Sequence, residues 1–325
     1  MQPGHEKTRG PERHPHVRGG QRSRAVQDIA RGWPKRLDDA IFDTMQMSLE
    51  TALALKTTLV LAAFVGFALA ERIRPAVDSQ LLVRLGRSTR EAWLRLTRNI
   101  GLFAFNTLLS PLIVLPITYW AAGFSLGLRP AFLDGWLGFA FDILLLDLWI
   151  YWWHRANHEW PVLWRFHQVH HLDELLDTTS AVRFHFGEVV LSALVRAVVI
   201  IALDIDLMAV IVFEALVLTS AIFHHSDARI PDWLERRLAK IIITPSIHWV
   251  HHHAIRADTD SNYGTIFSFW DPLFGSRSMT ERFAAMKIGV ERMADRPFTR
   301  LLAAPFGRQP GAAPPTKSAP KPARR

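Results

Sequence analysis

Residues 131–171 read AFLDGWLGFAFDILLLDLWIYWWHRANHEWPVLWRFHQVHH. The first 23 of these are almost all apolar, long enough to cross a bilayer, which takes about 20 residues of helix. Polar exceptions are Asp134, Asp142 and Asp147. Without a break the stretch passes into His154-Arg-Ala-Asn-His158, an HxxxH spacing, and then into His167-Gln-Val-His170-His171, an HxxHH spacing. On a helix, residues three or four apart share a face. The pattern is that of a membrane helix continuing into a helical cap whose imidazoles aim at a common centre. The HxxHH spacing returns at His248-Trp-Val-His251-His252. Imidazole binds iron, zinc or copper. Eight histidines exceed what one ion takes, so the spacing predicts two metal ions.

Four further apolar stretches surround this one: Met47–Ala70, Gly101 to about Phe124, Val189–Leu203 and Leu207–Phe223. The last two are separated only by Asp204–Asp206 and predict a tight helical hairpin. Arg196 and Glu214 interrupt the two arms about nine residues either side of Ile205. At ~1.5 Å rise per residue they lie at matching depth, which predicts a salt bridge between them. Trp120 and Trp136 flank one boundary, and Trp149, Trp152 and Trp153 the other, as aromatic belts do.

Composition agrees. The chain has 325 residues, 49% hydrophobic and 21% charged, with 12 Trp and no Cys. Absence of Cys excludes disulfide scaffolds, Fe–S clusters and thiolate metal sites. The net charge of +8 accompanies long apolar runs, so it points to a membrane surface and not to nucleic acid. Of 15 His, three fall in the first 16 residues (His5, His14 and His16) and twelve between His154 and His253. The expected organisation is a disordered basic arm over 1–45, one membrane domain over 46–305, and a disordered basic Pro/Ala-rich tail over 306–325. The expected fold is all-α: an integral membrane bundle of four to five spans, including the hairpin, with a cytoplasmic histidine-rich helical cap.

Orientation follows from Glu71–Ile100, which carries Arg72, Arg74, Arg84, Arg87, Arg90, Arg95 and Arg98 and reads as a cytoplasmic segment. Parity then places every clustered histidine on the cytoplasmic side, in a bacterial inner membrane. If the first stretch spans, the basic arm lies outside, against the same rule.

Beyond the histidine boxes the chain carries Thr178-Thr179, Arg183-Phe-His185 with Glu188, Phe223-His-His225-Ser226, Thr244-Pro245, Asp260-Ser-Asn262-Tyr263-Gly264 and Trp270-Asp271-Pro-Leu-Phe274-Gly275. From Met47 to Gly275 it resembles the fatty acid hydroxylase/sterol desaturase superfamily of membrane di-iron oxygenases. That resemblance implies two Fe ions that activate O2 and oxidise an unactivated C–H bond of a lipid, such as a fatty acyl chain or sterol-like lipid, by hydroxylation or desaturation. It assigns as metal ligands His154, His158, His167, His170, His171, His248, His251 and His252, and adds His225 by its family position. His185 and His224 are candidates for a ligand or orienting role. Asp173, Glu188, Asp260 and Asn262 are candidates for fixing an imidazole tautomer. His253 reads as a flanking residue. Two positions depart from the family pattern: Phe186-Gly187, where Pro-Leu is usual, and Asp227, where Asn is usual.

No haem-binding signature of a fused cytochrome b5-like domain is present, so a separate electron donor is implied, whether ferredoxin, cytochrome or reductase. Arg229, Arg236, Arg237 and Lys240 form a basic surface on which an acidic donor could dock. The alternative is a membrane metal-binding protein or transporter without oxygenase activity. A transporter would carry its ionisable ligands mid-helix, and a haem carrier would pair histidines on facing helices within the bilayer. Here the histidines stand just outside the spans.

Overall fold

The computed structural model describes residues 48–77 and 89–307. The N-terminal arm with His5, His14 and His16, the tail beyond 307, and Arg84 and Arg87 lie outside the described residues. Helices are the regular elements of the described residues, with isolated β-bridges but no strand among them. Four helices are long and apolar enough to cross a membrane, or five if one bent pair counts as a span.

Helix α1 (Leu49–Ile73) starts at Ser48, whose Oγ accepts the Thr51 N–H at 3.2 Å. It turns Leu55, Leu61, Val65 and Leu69 outward, an apolar surface suited to lipid. The expected single span over 101–124 is instead two helices, α2 (Thr89–Leu109) and α3 (Val114–Ala122), joined by a 3₁₀ turn and bent by 45°. Pro111 and Pro116 account for the break, because proline has no N–H to donate and its ring crowds the preceding turn. Helix α2 also begins earlier than expected, within the segment read as a cytoplasmic loop. Arg95 and Asn99 are therefore buried structural residues and do not report on orientation alone.

Helix α4 (Gly135–Glu159) carries the third apolar stretch and ends in His154 and His158. Gly138 is required there: a Cβ would come within 1.5 Å of the Leu133 carbonyl oxygen. Trp160 stands before Pro161, a position that disfavours helix, so the chain turns and α5 (Pro161–His171) starts afresh. Helices α6 (Phe186–Leu203) and α7 (Leu207–His225) form the expected hairpin. Asp204 closes α6 in the left-handed region at φ 55°, and Asp206 opens α7 by accepting the Met208 N–H at 2.7 Å. Short helices α8 (Asp232–Leu238), α9 (Pro245–His251), α10 (Arg256–Thr259), α11 (Trp270–Leu273) and α12 (Phe298–Ala303) complete the cap.

The main core joins α4, α6 and α7 through Leu146, Trp149, Ala197, Ile200, Val210 and Phe213. In lipid no hydrophobic gain favours helix over tail, so packing and polar fasteners hold such a bundle. The expected pair is among them: Arg196 Nη2 meets Glu214 Oε1 at 2.7 Å. Lys56 of α1 also pairs with Glu214, so the fastener joins three helices. Asp147, halfway along α4, accepts the Ile266 and Phe267 N–H groups at 3.2 Å and the Trp270 indole N–H at 2.8 Å. The cap is thus tied to the interior of a spanning helix.

Candidate metal centre

The ends of α4, α5, α7 and α9 converge, and with them two groups of buried histidines. His154, His158, His167, His171 and His251 form one; His170, His225, His248 and His252 form the other. Within each group the available ring nitrogens lie within 4.8 Å of one another, and each group could hold a metal ion. The two share a wall, where His171 stacks on His252 at 4.3 Å between ring centroids.

Both HxxHH boxes divide in the same way. His167 and His171 serve the first group and His170 the second; His248 and His252 serve the second and His251 the first. Helical geometry explains the split. At 3.6 residues per turn, positions i and i+4 are about 40° apart on one side of the helix, while i+3 falls about 60° to the other. One turn of helix therefore reaches into both groups.

Five of the nine rings have a fixed tautomer, because one nitrogen faces an atom that can only accept. Nδ1–H donates to the Tyr263 carbonyl from His154 (2.8 Å), to the Arg183 carbonyl from His170 (3.1 Å), to the Ala221 carbonyl from His225 (2.7 Å) and to the Ser261 carbonyl from His251 (2.6 Å). His167 Nδ1–H donates to Glu188 Oε1 at 2.8 Å. In each, Nε2 is left as a bare lone pair facing inward. His170 and His225 bring two such lone pairs within 3.1 Å. They repel unless a cation lies between them. His251 Nε2 and both ring nitrogens of His158 are buried without a hydrogen-bond partner, the mark of atoms reserved for another ligand. A metal ion fits these residues, and an all-imidazole donor set suits iron, zinc or copper.

Burial, reinforced by neighbouring rings, holds His170, His171, His248, His251 and His252 well below the usual imidazole range. They are neutral at pH 7 and ready to coordinate.

The remaining candidates are placed as follows. Glu188 bonds His167 and no other ring. Asp260 stands 3.5 Å from His158 Nδ1 and pairs with Arg256 at 2.7 Å. Asp173 bonds no imidazole; it is buried against Arg95 (2.5 Å), Asn99 (3.0 Å) and Ser180 (2.9 Å), and Arg95 holds its carboxyl far below the usual carboxylate range. Asn262 donates to the Ile247 carbonyl at 3.2 Å, steadying the helix that bears His248. His185 uses both nitrogens elsewhere: Nε2–H donates to the Leu302 carbonyl at 3.0 Å, and Nδ1 accepts the Gly187 N–H at 2.9 Å, capping α6. His224 packs its ring on His248 at 4.0 Å and lies outside both groups. His253 bonds Asp258 at 2.7 Å.

Both departures from the family pattern have close neighbours. A Cβ on Gly187 would lie 2.5 Å from the Phe166 ring, so a larger residue there requires Phe166 to move. Asp227 accepts from Arg282 and from the Val77 N–H, each at 3.2 Å, while burial pushes its carboxyl up to about 7.

Sequence reasoning gave no positioning role to Arg95 and Asn99, which anchor Asp173 directly after the first HxxHH box, or to Arg183, which donates to the Val169 carbonyl at 2.8 Å and so grips the same turn. The four-residue spacing of Arg95 and Asn99 on one helical face was the available signal.

Residues 139–276 match the fatty acid hydroxylase family. That match and the relatives below support the fatty acid hydroxylase/sterol desaturase superfamily as the one this chain resembles. Among its relatives, ornithine lipid hydroxylase of Rhizobium tropici is 28% identical over 167 residues, covering 51% of this chain and 50% of that protein. Alkylglycerol monooxygenase of Danio rerio is 31% identical over 149 residues, 43% of this chain and 30% of the relative. A cholesterol 25-hydroxylase-like protein of Danio rerio is 26% identical over 226 residues, 67% and 87%. The match thus spans half or less of the first two relatives. No solved structure matches this chain.

Proposed function

We propose that the protein is an oxidoreductase that uses two iron ions and O2 to hydroxylate or desaturate an unactivated C–H bond of a membrane lipid. The observation that supports this most is the pair of buried histidine groups, one of five rings and one of four, sharing a wall at the end of a membrane bundle. In this reading His154, His158, His167, His171 and His251 hold one ion, and His170, His225, His248 and His252 the other. Iron supplies the reductive activation of O2 that an unactivated C–H bond requires.

The chain's own residues do the rest. Carbonyl acceptors at Tyr263, Arg183, Ala221 and Ser261, with the Glu188 carboxylate, hold five imidazoles in one tautomer and orientation. Burial keeps the rings neutral and bulk water away from the oxidising site. Lipid reaches the site from the bilayer that surrounds α1, α4, α6 and α7.

Electrons come from a separate ferredoxin, cytochrome or reductase on the cytoplasmic side of a bacterial inner membrane. Arg229, Arg236 and Lys240 line an open groove of about 890 Å³ whose wall includes Ile247 and Val250, on the helix that carries His248 and His251. Its basic rim suits an acidic carrier close to the metals. Arg237 is stacked on Trp233 instead.

The test is lipid mass spectrometry of a deletion strain complemented with wild type or His251→Ala. The expected result is an oxygenated or newly unsaturated lipid that disappears on deletion and returns only with wild type. An unchanged lipid profile overturns the proposal.

A further inference from the structure

Tyr263 touches the first histidine group on one side and a second tyrosine on the other. Its ring centroid lies 5.3 Å from that of His158, 5.9 Å from His154 and 6.2 Å from Tyr151. Tyr151 in turn lies 5.4 Å from Trp152, edge to face. Phe274 closes the gap beside both, at 5.2 Å from Tyr151 and 4.9 Å from Trp152. Tyr151 is fully buried, whereas Trp152 is 45% exposed. A continuous run of aromatic rings therefore leads from the histidines to the surface.

Tyr151 also has a place to put a proton. Ser276 Oγ donates to Asp271 Oδ1 at 2.7 Å, so its lone pair faces the Tyr151 hydroxyl at 2.8 Å, and Tyr151 is the donor of that bond. Burial raises the Asp271 carboxyl from its ordinary value, which favours its accepting a proton. Oxidising a phenol is easy only if its proton can leave at the same time, and this pair of side chains provides the route.

We propose that Tyr263, Tyr151 and Trp152 form a relay that drains an oxidising equivalent from the histidine centre to the surface when O2 has been reduced there and no lipid is present to be oxidised. The proposal rests on the oxygenase reading. In the first step Tyr151 gives one electron to the centre across the Tyr263 ring and its hydroxyl proton, through Ser276, to Asp271. In the second, Trp152 gives one electron to the Tyr151 radical, which recovers its proton by the same route. Finally the Trp152 cation takes one electron from an external one-electron reductant, such as a thiolate or ascorbate. The net change is one electron passed from reductant to centre, with no net proton. Arg155 stacks over Trp152 at 5.3 Å, and its pairing with Glu159 at 2.7 Å offsets the charge it would place beside that cation. The relay protects the histidines, which would otherwise be the nearest oxidisable groups.

The experiment loads the full chain with ferrous iron in detergent, adds O2 without lipid, and follows O2 uptake, radicals by freeze-quench electron paramagnetic resonance, and oxygen adducts by peptide mass spectrometry. Wild type is expected to take up O2, show a transient tyrosyl signal and accumulate adducts at Trp152. Tyr151→Phe loses both signal and Trp152 adducts, Ser276→Ala diminishes the signal, and Trp152→Phe prolongs it. Trp152→Phe, at an exposed position, carries the test if Tyr151→Phe does not fold. O2 uptake without an aromatic radical, or a signal unchanged in these variants, overturns the relay and leaves the oxygenase reading standing. No O2 uptake overturns both.

Discussion

Glu188 and His185 stand three residues apart, yet their surroundings give them opposite duties. The Glu188 carboxylate accepts the His167 Nδ1–H and so aims Nε2 at the centre. Removing such a partner costs about 10–100-fold in metal affinity. Glu188→Ala is therefore expected to weaken iron binding by that range in a chelator competition, and Glu188→Gln, which can still accept the bond, by less. His185 caps α6 with one nitrogen and ties it to Leu302 with the other. His185→Ala is expected to leave iron content unchanged and to lower stability by about 1 kcal/mol, as lost caps do; a loss of iron would return His185 to the metal. From sequence the two histidine roles look alike, because the side chain is the same and only its bonding partners differ. The carbonyls of Arg183, Ala221, Ser261 and Tyr263 were illegible for a further reason: a backbone acceptor leaves no mark in residue type.

At the scale of elements, the Lys56–Glu214–Arg196 cluster shows what spacing reveals and what it conceals. Matching depth in a hairpin is a property of one continuous stretch, so the Arg196–Glu214 pair was readable from the distance to the turn. Lys56 joins from a helix more than 150 positions away, and nothing local announces it. Breaking a buried pair from one side strands a charge and costs several kcal/mol. Glu214→Gln is expected to destabilise by roughly 3 kcal/mol, stranding two cations at once. Arg196→Met added to it should cost much less than Arg196→Met alone, and strict additivity in detergent melting would disprove the cluster. The bend between α2 and α3 is a miss of another kind. The hydropathy of 101–124 is continuous, and hydropathy outweighed Pro111 and Pro116, which mark the break.

For the molecule as a whole, the apolar stretches made the membrane bundle legible, and the histidine boxes showed where its ends must meet. Which ring serves which group needed the fold, since each HxxHH box serves both. The cluster also governs pH response. Five of its rings are held well below the usual imidazole value of 6.5, so below that pH the unfolded chain binds protons that the folded chain does not. Stability of the metal-free protein is thus full above pH 6.5 and lost as pH falls beneath it, at up to about 1.4 kcal/mol per pH unit for each such ring. A melting temperature that stays level from pH 7.5 to 5.5 after metal removal would contradict this.

Nine histidines fall into two groups, and the iron content of anaerobically loaded, purified protein tests whether both hold metal. Wild type is expected to hold about two irons per chain, and both His251→Ala and His248→Ala, which remove one ring from each group, fewer. One iron in wild type, none, or full loading in both variants would contradict it.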